Sequence, residues 1–466
     1  MMNRRNGVTG NMDRQMQSWR WSAVAAVLAT TVAMSAASAW GHGGLHQEEP
    51  PVAHAPEFTP TPVPDRIVLT WTGAPSRSQA VSWRTSADVT KGLAEIAVAG
   101  EGPLFANRAR QVSAKTTCLD ADLGSASYHT VEFEGLKPDT LYAYRVGDGT
   151  TFSEWSHFRT AADWARPFTF VYVGDAQNDI KSHWSRVIRS AFADAPKAAF
   201  VLHAGDLVNR ANRDSEWGQW FYATGFLHRT IPCIATPGNH EYARPDPNSE
   251  RQLSVHWRPT FAFPEHGPQG LAESAYYIDY QGARIVSLNS NEKHAEQIEW
   301  LRDVLRYKGA RWKIVTFHHP LYASARGRDN TELRNLWQPI FDEYGVDLVL
   351  QGHDHTYARS GLMTHENVAT GATARSEAGT VYVVSVSGPK MYDLEKRPFM
   401  KRAAEDTQLY QIIRIDGDQL HYEARTATGN LYDGFKLIKR AGRPNEVVER
   451  VPGRPERRRV DGNRLD

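Results

Sequence analysis

The sequence predicts an α/β domain preceded by an all-β sandwich. Short alternating strands with turn residues between them fill about 58–160, the pattern of a sandwich. Beyond them, apolar strand-like runs alternate with helical segments, the pattern of α/β layering. A third observation places the chemistry, because five of those apolar runs end in short polar signatures.

The first 39 residues read as an export signal. Arg4, Arg5, Arg14 and Arg20 form a basic leader, 22–39 is apolar and Ala-rich, and Ala37-Ser38-Ala39 offers a cleavage site. An uncleaved anchor is the alternative, although the stretch barely reaches spanning length. No other segment is apolar enough to span a membrane, so none is expected after signal cleavage. Residues 40–57 are rich in His, Gly, Pro and Glu and read as disordered.

The sandwich is expected over 58–162, with strands at 66–71, 79–84, 94–98, 128–133, 141–146 and 152–159. The second domain is expected over 163–440. Its strand-like runs are 168–173, 198–204, 231–237, 312–317 and 346–351, and its helical segments are 183–193, 294–307 and 333–344. Runs at 380–386, 408–415 and 419–424 read as strands of a second sheet packed on the first. The Arg-, Pro- and Glu-rich tail over 441–466 reads as disordered. The 54 Lys and Arg against 53 Asp and Glu give no field that would draw nucleic acid. Cys118 and Cys233 fall in different expected domains and read as unpaired.

The five runs end, in order, in Gly174-Asp175, Gly205-Asp206, Gly238-Asn239-His240-Glu241, His318-His319-Pro320 and Gly352-His353-Asp354-His355. Strands ending in Asp, Asn or His would bring hard oxygen and imidazole donors to one edge of a sheet, where α/β proteins place their sites. Carboxylates, an amide and histidines without a thiolate suit a pair of divalent or trivalent metals better than a structural zinc. Taken singly, each residue has a plain reading. Asp206 could cap a helix, Asn239 could sit in a turn, and His353 and His355 could lie on the surface. Jointly, six candidate ligands at strand ends outweigh those readings.

This ordered set resembles the calcineurin-like metallophosphoesterases, whose fold is an αββα sandwich, over roughly 165–440. Leu136-Lys137-Pro138-Asp139-Thr140, followed by Tyr142-Ala143-Tyr144-Arg145-Val146-Gly147, resembles a fibronectin type III domain. With Leu69-Thr70 and Val81-Ser82-Trp83 it is more similar to the N-terminal domain of plant-type purple acid phosphatases. The resemblance implies that Asp206 bridges two metal ions, with Asp175 and His355 on the first and Asn239, His318 and His353 on the second. Iron, zinc or manganese would serve. Such metals, about 3.5–4 Å apart, clamp a phosphoryl oxygen and generate a hydroxide nucleophile. His240 would then face the leaving-group oxygen as proton donor. The implied substrate is a small-molecule phosphate ester. A monoester is favoured, a diester is the alternative, and a catalytically idle binding module is the reading from another class.

The sequence departs from purple acid phosphatases in three places. Asn209 stands where the iron-binding tyrosine would, as a metal or pocket residue in its place, so colour and ferric iron are not expected. Gln177 stands two residues after Asp175, where many relatives have a histidine; it offers its amide oxygen to the first metal or lines the pocket. Arg326 and Arg328 replace the substrate-side histidines of plant enzymes, either as phosphate binders or as loop charges. His319 either orients a neighbour or contacts substrate, and Asp354 either supports a ligand or faces solvent.

Overall fold

A computed structural model of the chain describes residues 58–366 and 378–459. The expected leader (1–39) and the 40–57 segment lie outside the described residues. None of the described helices is long and apolar enough to cross a membrane.

The sandwich consists of two four-stranded sheets. One orders Asp65–Thr70, Gln79–Ser86, Gly124–Phe133 and Lys115–Ala121; the other orders Arg110–Ser113, Leu93–Val98, Leu141–Gly147 and Ser156–Arg159. Trp83, Ile96, Val131, Phe133, Tyr144 and Phe158 fill the space between them. The strands Arg110–Ser113 and Lys115–Ala121 were not expected, because most of their side chains are exposed and carry no apolar alternation.

The following residues form two seven-stranded sheets with helices on the outer faces. The first orders Cys233–Ala235, Val201–His203, Phe168–Val173, Leu409–Asp416, Gln419–Thr426, Leu431–Arg440 and Arg443–Glu449. The second orders Tyr276–Tyr280, Ala283–Ser287, Trp312–Thr316, Leu348–Gln351, Thr380–Val384, Tyr357–Met363 and Met400–Ala404. Strand alternation explains the layering of the second sheet. Ile314, Leu348, Leu350, Val381 and Val383 join the core shared with Phe170, Tyr172 and Ile413 of the first sheet. Val315, Val349 and Tyr382 face the other way, onto Leu301 and Leu305 of the helix Ile298–Arg306 and Trp337 and Phe341 of the helix Thr331–Tyr344. The helices Ser185–Asp194 and Asp214–Thr224 contribute Val187, Ile188, Trp217 and Trp220 to the core of the first sheet.

Three expectations are corrected here. The five signature strands do not share one sheet edge: three lie in the first sheet and two, Trp312–Thr316 and Leu348–Gln351, in the second. The runs at 408–415 and 419–424 belong to the first sheet, with Ile412 paired antiparallel to Val171. Local alternation says that a segment is a strand but not which distant strand it pairs with. The segment 441–466 is not wholly a disordered tail. Arg443–Glu449 is an edge strand beside Leu431–Arg440, where charged side chains and Pro444 are tolerated because one side needs no partner. Residues 460–466 lie outside the described residues.

A buried ion cluster joins the sandwich to the α/β layers. Arg84 donates to Asp214 Oδ2 at 2.9 Å and to Asp65 Oδ2 at 2.6 Å, and Arg66 forms a two-pronged pair with Asp214. Asp214 opens the helix Asp214–Thr224, where a negative charge also suits the helix dipole.

Candidate metal centre

The five signatures meet where the strand ends of the two sheets face each other. Each leaves its strand by a sharp turn. Asp175, Asp206, His353 and His355 all hold positive φ, between 48° and 74°, which is costly for residues other than glycine and typical of functional sites. The glycines of the signatures permit close approach. A side chain at Gly238 would collide with the Asp206 carboxylate, and one at Gly352 with that of Asp175.

Around Asp206 the polar atoms converge. His318 Nε2 lies 3.1 Å from Asp206 Oδ2, 3.2 Å from Asn239 Oδ1 and 3.2 Å from His353 Nδ1. On the other side, Gln177 Nε2 lies 2.9 Å from Asp206 Oδ2 and 2.8 Å from His355 Nε2, and His355 Nε2 lies 3.6 Å from Asp175 Oδ1. Two three-residue donor groups result, Asp206–His318–His353 and Asp175–Asp206–His355, with Asp206 common to both. All six ligand candidates are thus brought together.

The surroundings prepare these atoms for a cation. Nδ1–H of His318 donates to the Ala204 carbonyl at 2.8 Å, and Nδ1–H of His355 to the Lys390 carbonyl at 2.8 Å. Those bonds fix both rings and turn Nε2 toward the carboxylates, as backbone carbonyls do for metal-bound histidines. His353 N–H donates to both oxygens of Asp175, and His240 N–H to Asp206 Oδ1 at 2.8 Å. Gln177 Oε1 is buried with no hydrogen-bond partner.

Electrostatics show the same demand for positive charge. Burial pushes the Asp175 carboxyl well above its ordinary value, with the charge of Asp206 adding to it. Burial also works against the Asp206 carboxylate, but the facing His318 outweighs it and holds the group low. Burial opposes protonation of His318, yet Asp206 and Asp175 raise its pKa to about 9. Burial lowers His353 and His355 well below the usual histidine range. Protonated His318 thus carries the positive charge that faces the two carboxylates, and a metal ion bound there would displace that proton. Oxygen and imidazole donors sharing one bridging carboxylate fit a pair of such ions.

Glu241 was not singled out from the sequence beyond its place in the third signature. It is buried and accepts N–H bonds from Asp206 and Gly238 at 2.8 and 2.7 Å and from Leu207 at 2.7 Å. It therefore clasps the turn bearing Asp206 to the turn bearing Asn239. The signal was present: a Glu three residues after a turn glycine is capping-box spacing.

The remaining candidates divide. His240 is half-buried, and its Nδ1–H donates to the Asn209 carbonyl at 2.6 Å. Asn209 thus orients His240 through its backbone. His319 hydrogen-bonds Ser290 through Nδ1 at 2.9 Å, and burial, then the charge of His318, lowers its pKa to about 3. Arg328 donates to the His353 carbonyl at 3.2 Å and lies over Tyr392, while exposed Arg326 makes no side-chain hydrogen bond to the cluster. Asp354 is fully buried and accepts the N–H of Ala325 at 3.0 Å, so it does not face solvent. Beside Asn239 and His319 opens a cavity of about 850 Å³, which Arg244, Arg251 and His294 also line.

Comparison with known proteins fits this geometry. The calcineurin-like phosphoesterase family model matches residues 168–357, and the purple acid phosphatase N-terminal domain model matches 64–160. Purple acid phosphatase 15 of Arabidopsis thaliana is 26% identical over 301 residues, covering 57% of this chain and 54% of the relative. Purple acid phosphatase 1 of Ipomoea batatas is 28% identical over 319 residues, covering 64% of each chain. The match thus spans less than two thirds of these relatives' length. The structure of purple acid phosphatase PPD1 from yellow lupin seeds shares the fold, with a TM-score of 0.68 and 20% identity over 81% of this chain and 75% of that one. The chain therefore carries a purple acid phosphatase N-terminal domain followed by a calcineurin-like phosphoesterase domain.

Proposed function

We propose that the chain is an exported phosphatase that hydrolyses phosphate monoesters at a binuclear metal centre. The observation that carries the reading is the sharing of buried Asp206 by two donor groups. Asp175, Asp206 and His355 would hold one ion and Asp206, Asn239, His318 and His353 the other, each zinc, manganese or iron. Gln177 would turn its unpartnered amide oxygen to the first ion. Together the ions would polarise the phosphoryl group and acidify a water.

The chain's own groups do the rest. Glu241 keeps the two ligand turns in register through its backbone bonds. The Asn209 carbonyl fixes the Nδ1–H tautomer of His240. Protonation at Nε2 makes His240 the acid for the leaving oxygen. His319, held neutral above all by burial, would not share that task near neutral pH. Arg328, which donates to the His353 carbonyl, would meet a phosphate oxygen.

The cavity of about 850 Å³ supports a second reading as a phosphodiesterase, since a diester needs room for another ester arm. Aryl phosphate monoesters and bis-aryl diesters assayed on one preparation of known metal content separate the readings. Faster monoester turnover supports the first, and faster diester turnover the second. No turnover of either with the ions bound leaves an idle binding module. Export is tested by N-terminal sequencing of the mature protein, with a start near Trp40 expected.

A further inference from the structure

Below the carboxylate cluster lies a second convergence of donors. His203, His228 and Cys233 bring two ring nitrogens and a thiol within 4.8 Å of one another, all buried. His203 ends the strand Val201–His203, three residues before Asp206, and Cys233 opens the neighbouring strand Cys233–Ala235. His228 lies in the short turn of helix Leu227–Arg229. The two Nε2 atoms are 3.2 Å apart. Two imidazole nitrogens at about 2.0–2.1 Å from one ion would be about 3.3 Å apart in a tetrahedral site and about 3.5 Å apart in the trigonal one that three ligands make. Trp220 stacks on His228 at 4.9 Å and packs against His203 at 5.3 Å, and Trp184 packs against His203 at 6.1 Å.

We propose that His203, His228 and Cys233 form a buried site for a monovalent soft cation, Cu(I). A thiolate with two imidazoles selects copper(I) or zinc among the common ions. Charge decides between them. Cu(I) and one thiolate sum to zero, whereas Zn(II) would leave a net positive charge. Indole rings pack on both imidazoles, and among the described residues no carboxylate hydrogen-bonds or ion-pairs with any of the three. An uncompensated charge so placed is strongly disfavoured. Binding breaks the Cys233 S–H bond, forms an S–Cu bond and releases the proton to solvent, with no change in oxidation state. The ion would tie the 227–229 turn to the strands that lead into Asp206 and Asn239. An Nε2–H···Nε2 hydrogen bond between neutral rings would explain the 3.2 Å spacing alone, but it gives Cys233 no part.

The test uses the full chain carrying Cys118→Ser, because Cys118 is an exposed free thiol, with zinc loaded in the catalytic centre. Produced with copper in the medium and kept anaerobic, it should retain about one equivalent of copper against bicinchoninate. X-ray absorption should show one sulfur and two nitrogen neighbours. Adding Cys233→Ser should abolish copper retention and leave the catalytic zinc in place. If that variant fails to fold, the ligand count on the Cys118→Ser parent decides. Zinc in the same sulfur–nitrogen environment, no retained metal, or copper retained without Cys233 overturns the proposal.

Discussion

Asp214 and Asp206 are both almost fully buried, yet their neighbours differ in kind. Asp214 is enclosed by donors. The guanidiniums of Arg66 and Arg84 reach both its oxygens, and Asp65 takes the remaining charge of Arg84. Asp206 faces a second carboxylate, two amides and three imidazoles, and two of those imidazoles are kept neutral by burial. Two guanidiniums and two carboxylates complete the first cluster, which ties one domain to the other. The second cluster gathers lone pairs around a single protonated imidazole, His318, a donor set that could hold metal ions. Fixed cations mark a joint, and converging lone pairs mark a site.

The comparison breaks most sharply at Asp206. Asp206→Ala should release metal and lower phosphate ester hydrolysis by about 10³-fold or more, since bridging ions supply several kcal/mol to the transition state. Assays with metal analysis check this, and a variant that keeps both ions and most of its turnover refutes it. His240→Ala should keep its metal and lose about 10²–10⁴ in kcat, less for nitrophenyl than for alkyl esters. Equal losses for both leaving groups would remove the proton-donor role.

Asp214→Ala should do the opposite of Asp206→Ala. Leaving Arg66 buried without its partner, and Arg84 with Asp65 alone, should cost about 3–5 kcal/mol of stability, while the folded fraction keeps its ions and kcat. Denaturant unfolding alongside activity per folded molecule checks it. The cluster also has a pH signature. Burial would raise the Asp214 carboxyl, but Arg66 and Arg84 outweigh it and hold it below the ordinary value. Its stabilisation is therefore complete above the unfolded value of about 3.9 and is lost as pH falls through the folded one. Asp214→Asn should flatten the stability loss below about pH 4.

Smaller effects follow. Gln177→Ala should weaken binding of the first ion about 10–100-fold, with little change in kcat at saturating metal. The protein should be colourless or nearly so even with iron bound, because the neutral side chain of Asn209 cannot replace a tyrosinate. A strong visible band would show that another residue supplies the phenolate.

The candidate ligands were legible because each follows an apolar run, and the strand Phe168–Val173 has the bounds its run implies. Their meeting across two sheets was not, because pairing such as Ile412 with Val171 joins segments far apart in sequence. The strand Lys115–Ala121 escaped notice because its side chains are largely exposed and polar. Asn209 was weighed as a metal or pocket side chain, whereas its carbonyl is what positions His240. Backbone roles of this kind leave no trace in residue type. The Arg66–Asp214 pair spans 148 positions and was equally invisible.

The most direct test of the contrast between joint and site is to count metal and measure hydrolysis on one sample before and after chelation. About two ions per chain, lost with the activity and restored with it, are predicted. Hydrolysis of phosphate esters that survives complete removal of those ions would contradict the account.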